Sequence, residues 1–117
     1  MELNFDVVRS CLLDIESDTS LDNCLVFNKT HTAPGKFYTL LKLEEANLIE
    51  CKVIRAWGGP IKIIVLGLTW NGHQFLDNIR SPKAVEYTKA TLQELGSASI
   101  QIMSQIAAAF VKKSLGL

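Results

Sequence analysis

Apolar residues at Phe5, Val8, Cys11, Leu12 and Ile15 recur at three- and four-residue steps, the repeat of one buried stripe on an α-helix. Asn4 stands where it caps that helix, and Asp6 falls in the first turn, where the helix dipole favours a negative charge. The polar, acidic stretch Ser17 to Asn23 reads as a loop, and Leu25-Val26-Phe27 as a short strand. Thr32-Ala33-Pro34 combines a capping residue with a proline suited to a first turn, which predicts a second helix from there to about Ala46. Phe37, Leu40, Leu41 and Leu43 form its inward side, and Tyr38, Thr39, Lys42 and Glu45 are expected to face solvent. Asn47 is placed for a left-handed residue at the helix end.

The period then changes. Cys51 to Trp57 and Ile61 to Leu66 are both β-prone, and Gly58-Gly59-Pro60 between them supplies the backbone freedom for a hairpin reversal. Thr69 caps a helix from Trp70 to Arg80 that is expected to bury Trp70, Phe75, Leu76 and Ile79. Ser81-Pro82 closes it and opens another, which runs to Leu95 with Gly96 as its stop. A last helix begins near Ser97 or Ser99, carries Ile102, Met103, Ile106, Phe110 and Val111, and ends in Lys112-Lys113 before Gly116.

Helix, short strand, helix and β-hairpin in that order predict an α+β domain of the winged helix-turn-helix type, with a β-hairpin wing and additional C-terminal helices. Residues 1–80 are expected to form the winged-helix core, with the wing at about 51–68, and 81–117 a helical extension of the same compact domain. One element is short. Only Asn28 to Ala46 separates the first strand from the wing, and Pro34-Gly35 interrupts it, so the middle helix is one turn long or absent.

Leu43-Glu44-Glu45-Ala46-Asn47-Leu48-Ile49-Glu50 resembles the "LEEAGLI" segment that ends the recognition helix of many winged-helix regulators. Leu68-Thr69-Trp70-Asn71-Gly72-His73-Gln74-Phe75-Leu76-Asp77 resembles the "LTWEGHEFLD" segment that follows the wing. With the Leu3 to Arg9 start, the Gly58-Gly59-Pro60 tip and the terminal Leu115-Gly116-Leu117, the chain is similar throughout to the domain-of-unknown-function 2513 family of small bacterial and phage proteins. That resemblance implies a winged-helix fold and a frequent prophage association. It brings neither an activity nor catalytic residues.

Composition alters this picture in one respect. The 117 residues, 48% apolar and 21% charged, suffice for a packed core, and twelve basic and twelve acidic residues cancel. A balance of zero argues against a small dedicated polyanion binder, but the charges are segregated. Residues 1–50 carry four Lys/Arg against nine Asp/Glu, a net of −5, and residues 51–117 carry eight against three, a net of +5. Lys52, Arg55 and Lys62 lie on the hairpin, and no acid occurs from Cys51 to Gln74, which makes the wing a candidate for phosphate contact with double-stranded DNA. Lys36, Tyr38, Thr39 and Lys42 are the candidates on the reader helix, opposed by Glu44 and Glu45 beside them.

Other chemistry is not expected. His31, His73, Cys24 and Cys51 form no close ligand pair, so neither a metal nor a cofactor is implied. Glu44 and Glu45 diverge by about 100° around a helix and do not converge on one substrate, and no nucleophile-base set or phosphate loop is present, so the reading is non-enzymatic. The start lacks a basic n-region and no apolar run is long enough for a bilayer, which predicts a cytoplasmic protein with reduced thiols and no membrane contact. The apolar last helix either completes the core against the first helix or pairs with a second copy; the second is preferred, with Ile102, Met103, Ile106 and Phe110 as the candidate interface of a homodimer. The alternative function is a protein-interaction adaptor for a host or phage partner, using Tyr38, Trp57 and that helix.

Overall fold

The computed structural model describes residues 1–116, so Leu117, part of the terminal motif above, lies outside the described residues. Helix α1 spans Phe5–Asp18, one turn beyond its apolar stripe, and buries the five stripe residues. The Asn4 side chain accepts hydrogen bonds from the Asp6 and Val7 amides at 2.9 and 3.3 Å, satisfying two donors that the first turn leaves without partners. Strand β1 (Leu25–Asn28) leads into a single 3₁₀ turn at Lys29–His31, and this turn occupies the place of the short middle helix.

Helix α2 spans Pro34–Glu45 and begins without a side-chain cap, because Ala33 rather than Thr32 precedes its first turn. Pro34 lacks an amide hydrogen and arrives with helical φ, so one orphan donor is already removed. At the other end Asn47 takes φ 60°, the Leu48 amide donates to the Leu43 carbonyl at 3.0 Å, and the Asn47 amide donates to that of Glu44 at 2.9 Å. This is a Schellman closure, with asparagine tolerated in the left-handed position.

Strands β2 (Ile49–Ala56) and β3 (Gly59–Leu68) form the hairpin, and β3 also pairs antiparallel with β1, so the sheet order is β1-β3-β2. The reversal is made by Trp57-Gly58 alone, earlier than the glycine-proline cluster suggests. Gly59, at φ 109°, already pairs with Ala56 in a conformation that side chains avoid. Pro60 opposes Arg55, beside a register shift that leaves Ile61 without a partner on β2, and a second shift skips Leu66. A bulge tolerates proline's missing donor.

Registers of both strand pairs fix the two faces of the sheet. Phe27, Ile63 and Val53 form one cross-strand row and Leu25, Val65 and Cys51 the next, both turned towards the helices, with Ile63 and Val65 fully buried. Val26, Ile64 and Lys52, then Asn28, Lys62 and Ile54, form the rows of the opposite face, which no helix covers completely, since Val26 and Ile54 are exposed.

Helix α3 (Trp70–Asn78) starts at Thr69, whose Oγ1 accepts from the Gly72 amide at 3.0 Å and donates to the Asn47 carbonyl at 2.8 Å. One hydroxyl thus caps α3 and ties it to the turn after α2. Phe75, Leu76 and Ile79 are buried as expected, but Trp70 is 76% exposed. The three buried residues centre on the side of the helix about 180° from Trp70 at 100° per residue, so the indole cannot reach the core they enter. Helices α4 (Pro82–Leu95) and α5 (Ile100–Ser114) are capped by Ser81 and Ser99, and Gly96 ends α4 at φ 86°. Ile100, Met103 and Ala107 of α5 belong to the same buried cluster as Val8, Leu12, Leu40, Ile63 and Phe75.

Candidate nucleic-acid interface

The hairpin carries its charges clear of the core. From Ile54 to Gly58 every residue is exposed, and Trp57 at the tip is wholly so. Lys52 and Lys62 stand on the same outer face of the sheet, diagonally across the β2–β3 pair, while strand alternation turns Arg55 to the other face. The three expected phosphate contacts therefore divide between the two sides of a projecting ribbon. Lys29 joins them, because β1 pairs with β3 at Asn28 and Lys62, which brings the exposed residue after Asn28 to the base of the ribbon. Sequence reasoning missed Lys29, since only the long-range β1–β3 pairing places it there.

The reader-helix candidates do not form one surface. Tyr38 and Lys42 share a side of α2, where the Lys42 ammonium lies 5.4 Å from the Tyr38 ring centroid and 2.8 Å from Glu45. The hydrogen bond that Lys42 donates to Glu45 raises the Lys42 pKa and sets the cation against the protein's own carboxylate. Tyr38 and Lys42 also line a groove with Leu3, Ser97 and Ile102, so the chain start and the α4–α5 turn flank them. Lys36 points elsewhere, with its ammonium 3.8 Å from Asp14 and 5.2 Å from the Phe27 ring centroid. Thr39, expected on the exposed side, is 2% exposed, and its hydroxyl donates to the Gly35 carbonyl at 2.7 Å. Its position about 40° from Leu43 around the helix places it at the edge of the buried arc, out of reach of any base.

Three of the six remaining cations serve the fold. Arg80 bonds both Glu16 of α1 and Asp77, Lys89 reaches Asp6 at 3.0 Å, and Arg9 donates to the Ile79 and Arg80 carbonyls at 2.9 and 3.2 Å. Two pairs, Glu16 with Arg80 and Asp6 with Lys89, join the acidic first half of the chain to the basic second half. Segregation along the sequence is thus partly cancelled in space. The Arg80 guanidinium holds the Glu16 carboxyl below its ordinary range, mainly through their hydrogen bond.

Among the dimer candidates Met103 is corrected, because at 2% exposure it is spent on the core of its own chain. Phe110 is half-buried, with its ring 5.1 Å from that of Tyr87 on α4. Ile102 is exposed and Ile106 half-buried, one turn apart on the same side of α5. The thiols are dispersed: Cys24 is exposed, and burial pushes both Cys11 and Cys51 up to about 11. Among the described residues no cluster of three His, Cys, Asp or Glu is placed to hold a metal ion, and no helix is long and apolar enough to cross a membrane.

A protein of Haemophilus influenzae described as "Uncharacterized protein" is 28% identical to this chain over 119 residues, covering 98% of this chain and 99% of that protein. No solved structure matches it. The family model described as "Hypothetical protein (DUF2513)" matches residues 2–99. The match takes in the Schellman turn at Asn47, the hairpin and the Thr69 cap, and by it the chain belongs to the DUF2513 family.

Proposed function

We propose that the chain is a winged-helix protein that associates with double-stranded DNA through its wing, as an accessory or regulatory factor. The winged-helix reading is supported by the element order and by a β1-β3-β2 sheet in which the short first strand pairs with the second strand of the hairpin. One observation carries the DNA reading. Lys36, Lys42, Arg80 and Lys89 each meet a carboxylate, whereas Lys29, Lys52, Arg55 and Lys62 meet none among the described residues and gather about one hairpin; Arg9, Lys83, Lys112 and Lys113 also meet none but lie on helices away from it. A phosphate backbone supplies anions where the protein supplies none, and a two-stranded ribbon is narrow enough for the major groove. In this reading α2 braces the wing instead of entering the groove, because Tyr38 and Lys42 are flanked by other parts of the chain.

The test is retention on duplex DNA at low salt. Replacing Lys52, Arg55 and Lys62 by glutamate abolishes it while the circular dichroism stays native. Unchanged retention removes the wing from the reading, and no retention of the parent chain removes DNA.

A protein-interaction adaptor is the second reading, favoured by the exposed apolar side chains of Val26, Ile54 and Leu66 around the same lysines and by Trp57 at the tip. The homodimer we propose is confined to the Ile102 and Ile106 side of α5. Sedimentation tests it: Ile102→Glu converts dimer to monomer, and a monomeric parent chain overturns it.

A further inference from the structure

Between α3, α5 and the end of α2 runs an open groove of about 560 Å³ whose walls differ in chemistry from the rest of the surface. Asn71, Gln74 and Asn78 line it from α3, and Gln101 and Gln105 from α5. None of these five carboxamides bonds to another protein group among the described residues. No Lys or Arg lines the groove, and its one carboxylate, Glu45, is held by Lys42. Leu48, Phe75 and Ile100 form an apolar floor.

From this geometry we infer that the groove binds an extended, uncharged peptide segment of a partner protein. Each carboxamide offers both a donor and an acceptor, as a peptide unit does. Gln74 and Asn78, like Gln101 and Gln105, are four residues apart on a helix, about 6 Å of rise. Main-chain groups on one side of an extended peptide repeat about every 6.7 Å, close enough for flexible carboxamides to follow. Carboxamides thus stand along both walls of the groove, and the floor receives an apolar side chain from the intervening residue. A nucleic acid finds no cation in this groove for its phosphates. Nothing here depends on the wing, so the groove and the DNA reading stand or fall separately.

Selection from a displayed library of random octapeptides on the immobilised full chain supplies the probe, and the enriched peptides are then synthesised. Gln74→Ala with Gln105→Ala weakens their binding about tenfold or more, through the loss of two hydrogen-bonding partners. Both residues are exposed, so the thermal midpoint of the variant stays at the parent value. Methylation of the peptide's backbone nitrogens weakens binding to a similar extent, and duplex DNA does not displace the peptide. A library that yields no binder overturns the inference, as do binders indifferent to both changes. Displacement of the peptide by a single-stranded oligonucleotide also overturns it, and assigns the groove to nucleic acid.

Discussion

The carbonyl oxygen of Leu48 stands 2.0 Å from where a Cβ on Gly72 would lie. The same carbonyl accepts the Thr69 amide at 3.0 Å, so it is held in place by the cap that starts α3. Any side chain at position 72 must push α3 away from the turn that follows α2. Gly72→Ala is expected to destabilise the domain by about 3 kcal/mol, lowering the thermal midpoint by roughly 10 °C. A variant melting within a degree or two of the parent would show that this approach relaxes freely.

The proposed phosphate contact by the hairpin predicts a measurable ionic signature. With three to four contacts, log K for duplex DNA falls with log salt at a slope of about −3. Lys29→Ala reduces the slope by about 1, as Lys52→Ala does, while Lys36→Ala leaves it unchanged because that ammonium faces Asp14. Equal effects at all three positions would point to diffuse attraction without a wing footprint.

Glu16 links α1 to α3 through Arg80, and its carboxyl titrates below the ordinary 4.5. A carboxyl depressed in the folded state contributes stability above the unfolded value and loses it as pH falls through the folded one. Glu16→Gln therefore lowers stability at neutrality, changes little at pH values below the folded pKa, and so flattens the acid limb below pH 4.5. The pair is partly exposed, which limits the effect to less than about 1 kcal/mol. Urea midpoints measured across pH check it, and parallel acid limbs would dismiss the link.

Thr88 is fully buried on α4, and its hydroxyl has no hydrogen-bond partner among the described residues. Thr88→Val keeps the shape and removes the unsatisfied group, so the urea midpoint rises, by an equivalent of about 1 kcal/mol. A fall would mean that the hydroxyl is bonded to a buried water.

Local signals carried most of this fold. The α1 stripe, the Asn4, Thr69, Ser81 and Ser99 caps and the Gly96 stop all follow from side chains acting within a few residues of themselves. Placement of the site was less legible. Trp70 was expected inside because it is large and apolar, although the angular positions of Phe75, Leu76 and Ile79 already exclude it from their face. Thr39 and Met103 were misplaced for a related reason: periodicity marks a stripe, while its width is set by the neighbours that cover it. Lys29 and the carboxamide groove depend on segments distant in sequence and leave no local trace.

The two pairings of β3 differ in how far the chain must travel to make them. β2 reaches β3 through a two-residue reversal at Trp57-Gly58, whereas Asn28 meets Lys62 only across α2, β2 and the turn. The first contact closes on a timescale of about 1–10 μs, and the second must wait for a longer loop to be ordered. Chain entropy therefore favours the β2–β3 contact over the β1–β3 contact early in folding. An isolated two-stranded ribbon is only marginally stable in water, so the basic arm holds its shape only once β1 and the helices back it.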